Sequence, residues 1–270
     1  MVKKEDLSVY GDLAEERHEA RFCEGGVRFT KRSEDGITVS ELSILTQEGA
    51  ETIGRGIGRY ITVSHPSVHM LQAAKLHAVS NEMVGALKTL LPHTPRKLLV
   101  AGLGSHDLTA DSLGVKAISR MRSERGEAEW LLTSALGTEA ETGIESAAHL
   151  RALVRECKPD AVLVIDALAT ADETRLLRAI ELCDTGISPG SGIGERKSAI
   201  NADTMGAPTV AIGVPTVMRV SSLLRRYSIS KDRHPSSPLF VTPALLDLGV
   251  LSAAHLIADT IHAYFKEVIK

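Results

Sequence analysis

"AVLVIDALA", residues 161–169, holds a single charge, Asp166, among apolar residues. The run is apolar at odd and even positions alike, so it lacks the alternation of a strand with one wet face. It is also short for a helix. A strand buried on both faces fits it, and such strands occur where helices cover both sides of a parallel sheet. KLLVAGLG (97–104) and TVAIGVPTV (209–217) read the same way. Between the first two strands in chain order, AAHLRALVREC (147–157) has the spacing of an amphipathic helix. Between the second and third, ADETRLLRAIELC (171–183) is predicted as another, opened by Thr170 or Asp172. Strands alternating with helices imply right-handed crossovers in a parallel sheet.

Upstream, GITVSEL (36–42) and RYITVSH (59–65) alternate as antiparallel strands, with a glycine-rich turn, Gly54 to Gly58, between them. A helical period runs from Val68 to Leu91 and stops at Pro92; another fills 242–268 behind Thr242-Pro243. Residues 1–35 mix acidic and basic side chains and read as an extension rather than core. Residues 228–239 have the least ordered composition. The fold expected is one α/β domain over residues 1–270. It has three layers, a mainly parallel twisted sheet with helices on both faces, and added N-terminal antiparallel strands.

Composition narrows the function. A formal net charge of −3 gives no basic footprint for nucleic acid, and 3% aromatic residues supply little base-stacking surface. The N-terminus has no apolar signal core, and the apolar runs are too short to span a bilayer. Cys23, Cys157 and Cys183 form no CxxC, so neither a disulfide framework nor a thiolate zinc site is expected. The reading is a soluble cytoplasmic protein with no membrane partner and no cofactor.

In open parallel sheets the working site lies beyond the carboxyl ends of the strands. That rule selects GLGSHDLTADSLG after the first strand, with Asp111, IDALATAD, with Asp166 closing VLVID, and GVPTV (213–217) within the third. Two carboxylates brought together there can share a proton and activate water. Alternatively, Asp111 caps the following helix and Asp166 bonds a neighbouring loop amide. A metal site of His106, Asp111 and Asp166 is conceivable, although there is no HExxH and the three share no helix face. No GxSxG is present, and the serines of GSG (190–192) and SALG (134–137) read as loop residues.

DTGISPGSGIGERKSAI (184–200) resembles a phosphate cradle at first sight. As a P-loop it has Ser191 and Arg196 where glycines belong. As a dinucleotide fingerprint it follows a predicted helix rather than the first strand. Gly190, Gly192 and Gly194 suit instead a loop against which an extended polypeptide lies, with Ser191, Arg196 and Lys197 beside it; a solvated surface turn is the plainer alternative.

Taken together, GDLAEE (11–16), RYITV (59–63), GLGSHDLTADSLGVKA (102–117), TGIES (142–146), KPDAVLVIDALA (158–169), DTGISPGSGIGERK (184–197), GAPTVAIGVPTV (206–217) and VTPALLD (241–247) resemble the germination protease of bacterial spore formers. The resemblance implies an endopeptidase of the spore core that degrades small acid-soluble spore proteins. It implies a zymogen, with residues 1–10 as the pro-segment, a tetramer, and a fold similar to hydrogenase maturation proteases and other phosphorylase/hydrolase-like proteins. By motif match its two catalytic carboxylates fall on Asp111 and Asp166. The chain departs from the family in having only Met218 to Leu239 where a long insertion is usual, in Ala110 and Val115 for prolines, and in Tyr10-Gly11 for Arg-Thr. Metal-dependent hydrolysis with His106, and a catalytically silent relative that binds proteins, are the competing readings.

Overall fold

The computed structural model describes residues 11–20, 25–65, 73–92, 94–123, 130–190, 198–227 and 239–268. Its centre is a nine-stranded sheet. Strands β4 (Leu98–Gly102), β5 (Leu131–Ala135), β6 (Ala161–Thr170) and β8 (Thr209–Arg219) form the parallel half, ordered β5-β4-β6-β8. The three apolar runs of the sequence are β4, β6 and β8. Within β4, Leu98 and Val100 enter one core cluster while Leu99 and Ala101 enter another, as double-sided burial requires.

Helices α3 (Ala73–Leu90), α4 (Leu113–Ser123) and α9 (Leu246–Val268) pack on the first face. Helices α6 (Ser146–Cys157) and α7 (Ala202–Met205) pack on the second. The three-layer α/β expectation therefore stands. Short helices α5 (Glu139–Thr142) and α8 (Val220–Arg226) complete the connections, and β9 (Phe240–Val241) pairs with the end of β8. Among the described residues no helix is long and apolar enough to cross a membrane.

Beyond β8 the sheet continues antiparallel through β7 (Ala179–Cys183), β3 (Gly58–Ser64), β2 (Ile37–Ile44) and β1 (Val27–Glu34). The predicted N-terminal antiparallel pair is β2–β3; helix α2 (Gln47–Ile53), capped by Thr46, precedes the glycine turn between them. One expectation is corrected. Residues 171–183 are not a crossover helix but a 3-10 turn, Glu173–Arg175, followed by β7. Leu176, Leu177, Ile180 and Leu182 imitate a helical period, yet all five residues of β7 are buried between β3 and β8.

A second correction concerns the N-terminus. Residues Gly11 to Arg17, which include the first turn of helix α1 (Ala14–Ala20), are buried rather than an extension; Leu13 and Ala14 are fully enclosed. The charges that made this stretch look like surface are matched inside the protein. Glu15 takes Arg175 at 2.8 Å, and Arg17 donates to the carbonyls of Gly11 and Gly54. The Ala14 amide donates to Glu181, whose other oxygen takes Arg55 at 2.9 Å. Buried charges persist where such partners exist.

Candidate active site

Strand β4 ends at Gly102, opposite Ile165 of β6. From Asp166 onward β6 has no β4 residue paired with it, and a cleft of about 230 Å³ opens there. Asp166 is thus not at the end of its strand, as the sequence suggested. It lies inside β6, which runs on to Thr170, and the shorter neighbour leaves it at the wall of the cleft. By the two-residue period it shares the α6 side of the sheet with Val162 and Val164. It is 6% exposed, and its Oδ1 accepts the Ala167 amide at 2.9 Å.

Asp111 reaches the same cleft from the loop after β4. The chain turns back at Gly104, where φ is +99° and a Cβ would lie 1.8 Å from the Asp111 carbonyl oxygen, so only glycine fits. Asp111 then closes a 3-10 turn, Thr109–Asp111, and its Oδ2 accepts the Ser105 amide at 3.0 Å. Ser105 is held in turn by Glu141, which accepts its hydroxyl at 2.6 Å and the His106 amide at 2.9 Å. Those bonds, the Ser105 hydroxyl first, hold the Glu141 carboxyl down at about 2. Glu141 is the fourth residue of the capping box that starts α5 at Thr138, and TEAE (138–141) carries that signal in the sequence. It is a support of Asp111 that motif reading passed over.

The structure therefore brings the two predicted aspartates into one cleft. His106 does not join them: it is exposed and is not part of the cleft lining. Among the described residues no group of three His, Cys, Asp or Glu side chains is arranged to hold a metal ion. From the glycine stretch, Ser188, Pro189 and Gly190 line the cleft, with Gly190 at φ +75°. Ser191, Gly192, Gly194, Arg196 and Lys197 lie outside the described residues, as do residues 1–10. The base of that loop is closed by a bridge in which Ile187 and Ile200 exchange both backbone hydrogen bonds, at 2.8 and 2.9 Å.

Two charged lining residues were not among the expected site residues. Asp12 and Arg55 belong to the buried N-terminal segment and the turn after α2, and nothing local in the sequence links either to the cleft. Asp12 clamps the far end of β6: its amide donates to the Ala169 carbonyl at 2.8 Å and its Oδ2 accepts the Ala169 amide at 2.9 Å. Thr216 of β8, inside the selected GVPTV segment, lines the cleft as well.

A family model described as germination protease matches residues 3–227 of this chain. The germination protease of Clostridium perfringens strain ATCC 13124 is 34% identical over 235 residues, spanning 80% of this chain and 72% of the relative. That of Clostridium tetani is 32% identical over 236 residues, spanning 83% and 72%. Among solved structures, the NiFe hydrogenase maturation protease HycI of Thermococcus kodakarensis aligns at TM-score 0.45 and 17% identity, over 67% of this chain and 99% of its own.

Proposed function

The chain belongs to the germination protease family, and on that premise we propose that it cleaves small acid-soluble spore proteins with Asp111 and Asp166 as a water-activating pair. The observation that carries the reading is their convergence: one carboxylate from the turn after β4 and one from within β6 line one cleft. One carboxylate, ionised, takes a proton from water as the oxygen attacks the scissile carbonyl. The other, protonated, donates to the carbonyl oxygen. The tetrahedral intermediate then collapses, the C–N bond breaks, and the proton taken from water passes to the leaving amine. The two roles are interchangeable in this scheme.

Gly190, with Ser191, Gly192, Gly194, Arg196 and Lys197, forms in this reading the wall along which the substrate strand lies. The family resemblance adds assembly as a homotetramer, residence in the spore core, and activation by removal of residues 1–10. Removal up to residue 10 would leave the buried segment that begins at Gly11 in place.

The test is incubation of the purified full chain with a small acid-soluble spore protein, followed by separation of fragments. Discrete fragments are expected from the parent, with at least a thousandfold slower cleavage by Asp111→Asn and by Asp166→Asn, on the scale of losing an essential acid–base group. Full activity in either variant would sink the pairing. A folded parent that binds the substrate without cutting it would mark a silent relative.

A further inference from the structure

The ladder between β6 and β8 has one irregularity, and it lies at the cleft. Pairing runs in register from Val162↔Thr209 to Leu168↔Pro215 and resumes at Ala169↔Val217, which leaves Thr216 as an extra residue on β8. A bulge of this kind re-aims the side chain it carries. Pro215 beside it has no amide hydrogen to offer, which a strand tolerates at such a break; its carbonyl is used by the Leu177 amide at 2.8 Å.

Thr216 is 1% exposed and lines the cleft, and its Oγ1 donates to the carbonyl of Ala110 at 2.6 Å. Ala110 is the middle residue of the 3-10 turn that ends in Asp111, and this turn packs against β6, β8 and α9. Asp111 is therefore tied from two directions. Ser105 holds its carboxylate from the β4 side, and Thr216 holds the preceding peptide unit from the β8 side. Asp166 is on β6, between those two strands. The hydroxyl on the bulge ties the turn carrying Asp111 to the strand next to the one carrying Asp166. Asp12 holds the opposite side of the same irregularity through its two bonds to Ala169.

We propose that Thr216 is a positioning residue for the hydrolytic reaction, acting through the Ala110 carbonyl to set Asp111 against Asp166. The proposal rests on the reading of those aspartates as the reacting pair. A group that only aligns reacting carboxylates changes the rate of the chemical step more than substrate binding, because a small misplacement weakens the transition state first.

The experiment compares Thr216→Val, which keeps the shape and loses the hydroxyl, with Thr216→Ser, which keeps the hydroxyl and loses a methyl. Both are measured in the full chain on a small acid-soluble spore protein, beside Asp111→Asn. Expected is a fall in kcat of about 10- to 100-fold for Thr216→Val, since a misplacement of about 1 Å can cost on the order of 100-fold. KM should stay within about twofold, and Thr216→Ser should recover kcat to within about threefold of the parent. Wild-type kcat in Thr216→Val, a loss carried wholly by KM, or a Thr216→Ser as slow as the valine variant would each overturn the proposal. Should the valine variant fail to fold, the serine variant decides: kcat near the parent supports the hydroxyl's role, and a tenfold loss refutes it. Asp111→Asn separates the two levels. If it is inactive while Thr216→Val is normal, only the positioning role falls; if it is fully active, the paired-carboxylate reading falls with it.

Discussion

The parallel half of the sheet and the buried N-terminal segment reach the same low exposure by opposite chemistry. Leu163, Ile165 and Ile212 are enclosed among other hydrocarbon side chains, and any apolar neighbour of similar volume suits them. Asp12, Glu15, Glu16 and Arg17 are enclosed only because particular partners, among them Arg175, Ala169 and Ala171, arrive from distant parts of the chain. One region is held by area and the other by matching. The first tolerates change one residue at a time, whereas the second changes in pairs.

The largest expected effect breaks the matching. Glu181→Ala leaves Arg55 without its 2.9 Å partner in a buried setting and should cost about 3–5 kcal/mol in a urea unfolding curve. Exchanging both partners for apolar residues, Arg55→Met with Glu181→Leu, should recover most of that loss. In the parallel half, Leu163→Ala should cost about 2–5 kcal/mol through the cavity it leaves. If the double exchange is no better than Glu181→Ala, the contrast between the two regions is wrong.

A pH series sharpens the comparison at smaller amplitude. Burial raises the Glu16 carboxyl from its ordinary 4.5 to about 7, against the pull of the Ala171 amide and the Thr170 hydroxyl. A carboxyl whose folded value is raised adds stability below its unfolded value and loses it as pH climbs through the folded one. Stability from this group should therefore be complete below about 4.5 and decline, by on the order of 3 kcal/mol, as pH rises through about 7. Glu16→Gln should flatten that slope; an unchanged slope would locate the proton elsewhere. The smallest effect belongs to Glu141, whose value is lowered. Its contribution is present above about 4.5 and lost as pH falls toward about 2. Acid titration of Glu141→Gln should show a slightly shallower loss of stability in that window, small because the group faces solvent.

The same division explains what could be read in advance. β4, β6 and β8 are legible because double-sided burial writes an unbroken apolar run into the sequence. Asp111 and Asp166 are legible because each interrupts or follows such a run where a strand gives way to a site. β7 is not legible, since Glu181 stands in its middle and the residue that makes its burial acceptable, Arg55, is 126 positions away. Asp12 and Arg55 were missed at the cleft for the same reason. Thr216 was legible only as part of GVPTV: it stands inside a run whose apolar character hides the change of register that turns it toward the Asp111 turn.

The bridge between Ile187 and Ile200 has a consequence for how this enzyme family can diversify. The two ends of the glycine-rich loop are already joined to one another, so its closure is set at the bridge. Lengthening such a closed loop twofold costs only about 0.6 kcal/mol in closure entropy. Residues 188–197 are consequently the part to exchange, with Ser198 kept for its two bonds to Glu145. Exchanging them between relatives should redirect which polypeptides are cut while leaving the thermal midpoint of the recipient almost where it was.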